Sequence, residues 1–387
     1  MVKIPEPALE RERQIADSSF YHPMHAASWG ALEEKINSAT RHDVLRALGH
    51  AGNTTIDEFA ALISPAAEPL VEQMAQVAYT LTRRRFGKAM SLYVPLYLSN
   101  ACSNSCVYCG YSHQNKLLRK TLNDEEILEE ARAIRALGFE HILLLTGEHP
   151  KECGFEYLKH AIELLQPIFP QISVEVQPMS SWEYEELAKV GLHAVYVYQE
   201  TFNEARYPVY HPAGRKRDYR WRLETPDRVA AAGIHKVGIG ALLGLENWRM
   251  ESLAVAMHIR FLQQRYWKTR YSISFPRLRP HVGSFEPQFD VTDKNLVQII
   301  LAYRIFDENV EMSLTTRESA FFRDNMFPLG ITALSAGSHT EPGGYAKENK
   351  ELEQFEISDS RSPEEIATML RRRGYESVWK DWDQMLQ

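Results

Sequence analysis

Eight short apolar runs, separated by helix-length segments, fill the stretch from Ser91 to Ser335, and that alternation leaves few folds open. The runs lie at residues 92–98, 141–145, 172–176, 194–198, 236–242, 271–275, 311–314 and 331–335. Near-continuous apolar runs of this kind suit parallel strands buried on both faces. Between the first two, Asn123 with Glu126 three residues later makes a capping box, and Leu128, Ala131, Ile134 and Leu137 form an apolar stripe behind it. Further helices are expected at 155–169, 182–190, 225–232, 249–266 and 293–306. Eight strands alternating with helices predict an α/β chain folded as a (β/α)8 TIM-type barrel, with its chemistry at the carboxyl ends of the strands.

The flanks read differently. Residues 27–37, 57–62 and 66–86 carry apolar positions at helical spacing, the last run starting at Ser64-Pro65 and ending in Arg83, Arg84 and Arg85. Those arginines read as a solvated last turn that complements the helix dipole. From Glu348 the chain is charged, with a helix at 363–373 and with Trp379 and Trp382 expected to pack the tail onto the barrel. The resulting division is a helical extension over 1–87, a barrel over 88–345 and a tail over 346–387. Hydrophobic residues make up 44% of the 387, enough for a large core, and a net charge of −7 argues against a nucleic-acid-binding surface. Neither a secretory h-region nor a bilayer-length apolar run is present, so a cytoplasmic location is expected.

Three of the four cysteines stand within eight positions, CSNSCVYC, as Cys102, Cys106 and Cys109. They follow the first apolar run directly, on a segment that can fold back so that their thiolates converge. Soft sulfur ligands select iron–sulfur clusters, zinc or copper(I). A [4Fe–4S] cluster normally takes four cysteines, so three leave one iron open to a ligand. His113 follows at a spacing that also permits a Cys3His zinc site. Disulfides do not fit the odd number or the expected compartment. Cys153, the remaining thiol, reads as buried and inert.

The C-x3-C-x2-C spacing with Tyr108 before the last cysteine resembles the signature of the radical S-adenosylmethionine (SAM) enzymes. The wider run of motifs is similar to their tyrosine-cleaving branch, which serves thiamine thiazole biosynthesis: VPLYLSNACSNSCVYCGYS, LLLTGEHP, VEVQP, VYQETF, WRLETPDR, SFPRLRP and SAGSHTEPGGY. The resemblance covers nearly the whole chain. It implies a [4Fe–4S] cluster on Cys102, Cys106 and Cys109, with SAM on the open iron. It also implies lysis of the Cα–Cβ bond of L-tyrosine to 2-iminoacetate and p-cresol, with methionine and 5′-deoxyadenosine as co-products. By the same resemblance a flavodoxin or ferredoxin supplies the electron, and the thiazole synthase ThiG takes up the imine. A tryptophan-cleaving relative and a zinc-bound scaffold stay open as alternatives. A maturase relative that makes carbon monoxide and cyanide carries a further cysteine-bearing domain, whereas no cysteine follows Cys153 here.

The same resemblance distributes the remaining roles. Tyr108 and Gly147 lie against the cofactor, Glu148 holds the SAM amino group, Glu200 takes the ribose hydroxyls and Arg222 takes the SAM carboxylate. Arg228 competes with Arg222, although a helix-surface salt bridge explains it as well. Glu175, alternating with valines, is read either as a barrel-core salt-bridge partner, since an unpaired buried carboxylate is costly, or as a polar contact to SAM. Glycines 238, 240 and 244 would let the adenosine lie flat. For the substrate, Arg317 supplies a bidentate carboxylate contact, Ser335 a hydroxyl and Tyr97 a contact to the amine, with Arg323 and Arg277 as second choices for the carboxylate.

Overall fold

The computed structural model describes residues 5–279, 285–347 and 352–380. Eight parallel strands form a closed ring in sequence order: β1 Ala89–Ser99, β2 His141–Thr146, β3 Gln171–Glu175, β4 Leu192–Tyr196, β5 Lys236–Ile239, β6 Arg270–Ser274, β7 Glu311–Leu314 and β8 Ala333–Ser335, with β8 pairing back onto β1. The expected strands are all present, with ends displaced by a few residues.

Side-chain alternation explains how so polar a barrel closes. In β1, Leu92, Val94, Leu96 and Leu98 are buried at 1% exposure or less on the outer face, under the helices. Each such side chain contributes roughly 1.5–3 kcal/mol on burial. Ser91, Tyr93, Pro95 and Tyr97 alternate with them and line the interior. The inner face therefore departs from the all-apolar strand expected above: His141, Gln171, His193, Lys236 and Glu311 line its amino-terminal half, and Lys236 is ion-paired to Glu311 at 2.7 Å.

Between the strands run helices Asp124–Ala136, Phe155–Leu165, Ser181–Lys189, Thr225–Ala231, Trp248–Arg265 and Asp293–Phe306. The Asn123 capping box forms as expected, and Ser180 with Glu183 and Thr292 with Asn295 make others.

Ahead of the barrel, helices Glu6–Asp17, Tyr21–Ala26 and Arg41–Gly49 appear in addition to those expected. Residues 66–86 do not form one helix. A 3-10 segment, Pro65–Leu70, precedes Val71–Phe86, because Pro69 removes an amide donor from the ladder. The arginines at its end do more than face solvent, since Arg84 pairs with Glu308 and Arg85 donates to Asn309 ahead of β7. In the tail, helix Pro363–Arg372 is followed by a strand that the sequence did not signal, β9 Glu376–Val378, which pairs with the first residues of β1. Trp379 packs edge-on against Phe139, with 5.2 Å between ring centroids, while Trp382 lies outside the described residues.

Candidate active site

The segment after β1 carries the three cysteines and is tied down from several sides by backbone bonds: Ser103 to Glu148, Ser105 to Ala213 and Val107 to Tyr210. Arg119 adds donors to the carbonyls of Asn100, Tyr111 and Ser112. Gly147 is required by close approach, since a Cβ there would stand 2.1 Å from the Ala101 carbonyl oxygen and 3.1 Å from Cys102 Cβ. Cys153 is buried beneath, its thiol directed to the Gly147 carbonyl at 3.1 Å.

One cavity of about 250 Å³ runs from these cysteines down the barrel. Cys102, Cys106 and Cys109 all border it, together with Tyr97, Tyr108, Gly147, Glu148, Glu175, Glu200, Arg222, Arg317 and Ser335, so the residues expected to act together share one space. His113 is exposed instead. Among the described residues no three His, Cys, Asp or Glu side chains are gathered as ligands of a single ion. A tetrahedral zinc site would need sulfurs about 2.3 Å from one centre, whereas a cubane offers each cysteine a separate iron. Burial pushes the Cys102 thiol up to about 11, helped by the negative charge of Glu148, and pushes Cys106 higher still. Both are neutral thiols until a metal takes the sulfur, so cluster loading releases protons. Three thiols on one cavity, with no fourth cysteine beside them, fit a cluster that keeps an open iron.

Next to the cysteines lies a charge cluster. Arg222 donates from Nη1 to Glu148 Oε1 at 2.9 Å and from Nη2 to Glu200 Oε1 at 3.3 Å, and its Nε is fixed by the Tyr198 carbonyl at 2.6 Å. Burial opposes the Glu148 charge, but Arg222 and Lys216 outweigh it and hold the carboxyl below its usual range. Asn104 adds a side-chain bond to Glu148 Oε2 at 2.7 Å. Glu200 has φ +70°, a left-handed conformation that is uncommon for a residue with a side chain.

Sequence reasoning missed Lys216, which reaches into this cluster and pairs with Glu200 at 2.7 Å while its ammonium lies 5.8 Å from the Tyr108 ring centroid. It sits on a short 3-10 turn, Arg215–Arg217, where flanking arginines hide it in a basic run. Tyr108 is hydrogen-bonded to His211 Nε2 at 2.7 Å, and His211 Nδ1 faces the Tyr207 carbonyl at 3.0 Å. The histidine therefore donates through Nδ1 and accepts the tyrosine hydroxyl proton through Nε2.

On the β7 and β8 side, Arg317 packs its guanidinium 3.5 Å from the Phe355 ring centroid and borders the cavity. Among the described residues it makes no ion pair. The two alternatives for a carboxylate contact are occupied elsewhere: Arg277 is bound by Glu318 and Asp293, and Arg323 is buried against Asp359 and the Ser335 carbonyl. Ser335 Oγ accepts from the Thr316 amide at 3.0 Å. The Tyr97 hydroxyl donates to Gln354 Oε1 at 2.9 Å, and Gln354 Nε2 stands 3.5 Å from Cys109 Sγ. Gln354 is a tail residue that nothing in the sequence linked to the cysteines.

Two readings change. Arg228 is fully buried away from the cavity, donating to the Met179 and Trp221 carbonyls under the Trp221 ring, and so is no helix-surface residue. Glycines 238 and 240 make room for the protein itself: a Cβ at 238 would stand 2.0 Å from Tyr196 Cδ1, and one at 240 would stand 2.6 Å from the Ser274 carbonyl oxygen and 3.1 Å from Tyr198 Cδ1.

Comparison with known proteins is consistent with this site. The model of the radical SAM superfamily matches residues 96–255, and that of the biotin and thiamin synthesis associated domain matches residues 274–376. The chain is 51% identical over 359 residues to the 2-iminoacetate synthase of Escherichia coli K12, covering 92% of this chain and 95% of that protein. It is 49% identical, with the same coverage, to the 2-iminoacetate synthase of Salmonella typhimurium LT2. The solved structure of the FeFe-hydrogenase maturase HydG from Carboxydothermus hydrogenoformans superposes with a TM-score of 0.83 at 30% identity, over 97% of this chain and 85% of that one.

Proposed function

The chain belongs to the 2-iminoacetate synthase family of radical SAM enzymes, and from that premise we propose how its barrel mouth cleaves L-tyrosine. The products are 2-iminoacetate and p-cresol. The observation that carries the reading is that Arg317, without an acidic partner among the described residues, borders the same cavity as the three cysteines. Its Nη1 reaches only the Arg277 carbonyl, at 3.4 Å, and an amino-acid carboxylate is the acidic partner its planar fork lacks.

Cys102, Cys106 and Cys109 hold the [4Fe–4S] cluster, and Glu148 and Arg222 present an acceptor and a donor side by side to the amino and carboxylate groups of SAM. Glu200 receives the ribose hydroxyls, with Lys216 holding its carboxylate in place, and Tyr108, steadied by His211, lies against the cofactor. Bound there, cluster and SAM together supply the one-electron chemistry that removes a hydrogen atom from the substrate. The protein holds the amino acid in one pose: Arg317 grips the carboxylate, and Ser335, whose hydroxyl proton is not used by its bond to Thr316, adds a second contact. Tyr97 bears on the substrate through its ring, because its hydroxyl is engaged by Gln354. Gln354 and Phe355 line the cavity beside Cys109 and Arg317, where they narrow the space open to water.

The helical extension over 1–87, barrel over 88–345 and tail over 346–387 are the working division of the chain. Among the described residues no helix is long and apolar enough to cross a membrane. A cytoplasmic enzyme that receives its electron from a flavodoxin or ferredoxin and passes its imine to thiazole synthase is the setting that suits a short-lived product.

Anaerobic incubation of the cluster-loaded protein with SAM, a reductant and either tyrosine or tryptophan tests this reading. Tyrosine gives p-cresol by chromatography. Turnover of tryptophan alone would reassign the substrate.

A further inference from the structure

β3 and β7 are four strands apart in a closed ring of eight, so their carboxyl ends face each other across the mouth. Glu175 closes β3 and Arg317 follows β7 by three residues; both border the cavity. Of the charges around Glu175, that of Arg317 acts on it most strongly, yet among the described residues the two make no ion pair. An anion and a cation that face each other across open space without touching match the two ends of a zwitterion. Glu200, Lys216 and Arg222 also act on Glu175 but satisfy one another. Tyr97 from β1 and Tyr198 beyond β4 supply the apolar walls, both feeling the Glu175 charge.

We infer that Glu175 receives the ammonium group of the amino-acid substrate, opposite the Arg317 guanidinium that receives its carboxylate, and takes up one ammonium proton before the hydrogen atom is removed. This rests on the tyrosine-lyase reading and moves Glu175 from the cofactor to the substrate. In the step an N–H bond of the ammonium breaks and an O–H bond forms on Glu175, with no change in oxidation state. The neutral amine is left for hydrogen-atom removal. Burial is suited to this, since it raises the carboxyl to about 7, where it exchanges a proton readily near neutrality.

Equilibrium binding of radiolabelled tyrosine to the cluster- and SAM-loaded protein, from pH 6 to pH 9, is the test. A deaminated analogue, 3-(4-hydroxyphenyl)propanoate, is run in parallel. Tyrosine affinity of the wild type should rise as pH passes about 7 and Glu175 ionises, whereas that of the analogue should not. In Glu175→Gln, tyrosine should bind at least about tenfold more weakly, with no pH step and with SAM affinity and iron content kept. Glu175→Asp should retain the step at lower affinity. An unchanged step in Glu175→Gln, or loss of SAM affinity with tyrosine binding intact, would overturn the assignment. Failure of the tyrosine-lyase reading would show separately, as absence of p-cresol from the wild type.

Discussion

Arg222 and Glu148 hold one another at 2.9 Å, and the proposed function gives each a different group of the cofactor. The pair is buried, and removing one partner of a buried pair typically costs about 3–5 kcal/mol because the other charge is left uncompensated. Without cofactor the pair preserves both charges; in the proposed function each would exchange its neighbour for a ligand group of the same sign.

Arg222→Gln should therefore weaken SAM binding by at least about tenfold, a loss of about 1.4 kcal/mol, and lower the stability of the cofactor-free protein as well. SAM titration of the cluster-loaded variant and denaturant unfolding of the cluster-free one measure the two effects. A variant with normal SAM affinity would remove Arg222 from the cofactor site.

Gly147→Ala places a methyl against the Ala101 carbonyl and beside Cys102, and the flanking backbone must shift. The cysteine segment should lose its shape, and iron retained per chain after reconstitution should fall well below that of the wild type. Gly30→Ala, where nothing lies within 4 Å of the added Cβ, is the control. It should keep full iron and gain up to about 1 kcal/mol of stability. Equal iron in the two variants would contradict the close packing at Gly147.

Glu251 offers a pH prediction away from the chemistry. Burial pushes its carboxyl up to about 8, although the Thr201 hydroxyl and the Phe202 amide donate to it. The native state therefore binds its proton more tightly than the unfolded chain, whose value is about 4.3. This contribution to stability is full below about pH 4 and is lost as pH rises to about 8. Denaturant unfolding of the cluster-free protein at pH 5 and pH 8 should show the wild type losing more stability than Glu251→Gln. Glu175 and Asp227, both raised to about 7, keep some slope in the variant, and equal slopes would refute the assignment.

The sequence made the barrel legible because each strand keeps an apolar outer face; Leu92 to Leu98 in β1 is the plainest case. It did not reveal that the inner face is polar, since Ser91 or Gln171 looks like any strand terminus until the ring closes. That the cysteines and Glu148 share a cavity was legible because motif residues follow strand ends, whereas Arg222 reaches the same cavity from a short helix, Tyr219–Leu223, and was legible only through its motif. Lys216 and Gln354 were not, because their roles come from chain segments brought in from a basic turn and from the tail. Glycines 238 and 240 were misread because a small residue signals close approach without saying of what, and here it is the Tyr196 ring at 238 and chiefly the Ser274 carbonyl at 240. Pro69 split the expected helix over 66–86, a local rule overlooked in favour of the hydrophobic pattern.

The central claim is that three sulfurs hold a cluster whose chemistry is spent on tyrosine. The most direct measurement combines iron analysis with product counting in one anaerobic sample containing SAM, reductant and tyrosine. The account predicts about four irons per chain, p-cresol formed in step with 5′-deoxyadenosine, and loss of both products in Cys106→Ala. One zinc per chain with no iron, or 5′-deoxyadenosine released without p-cresol, would contradict it.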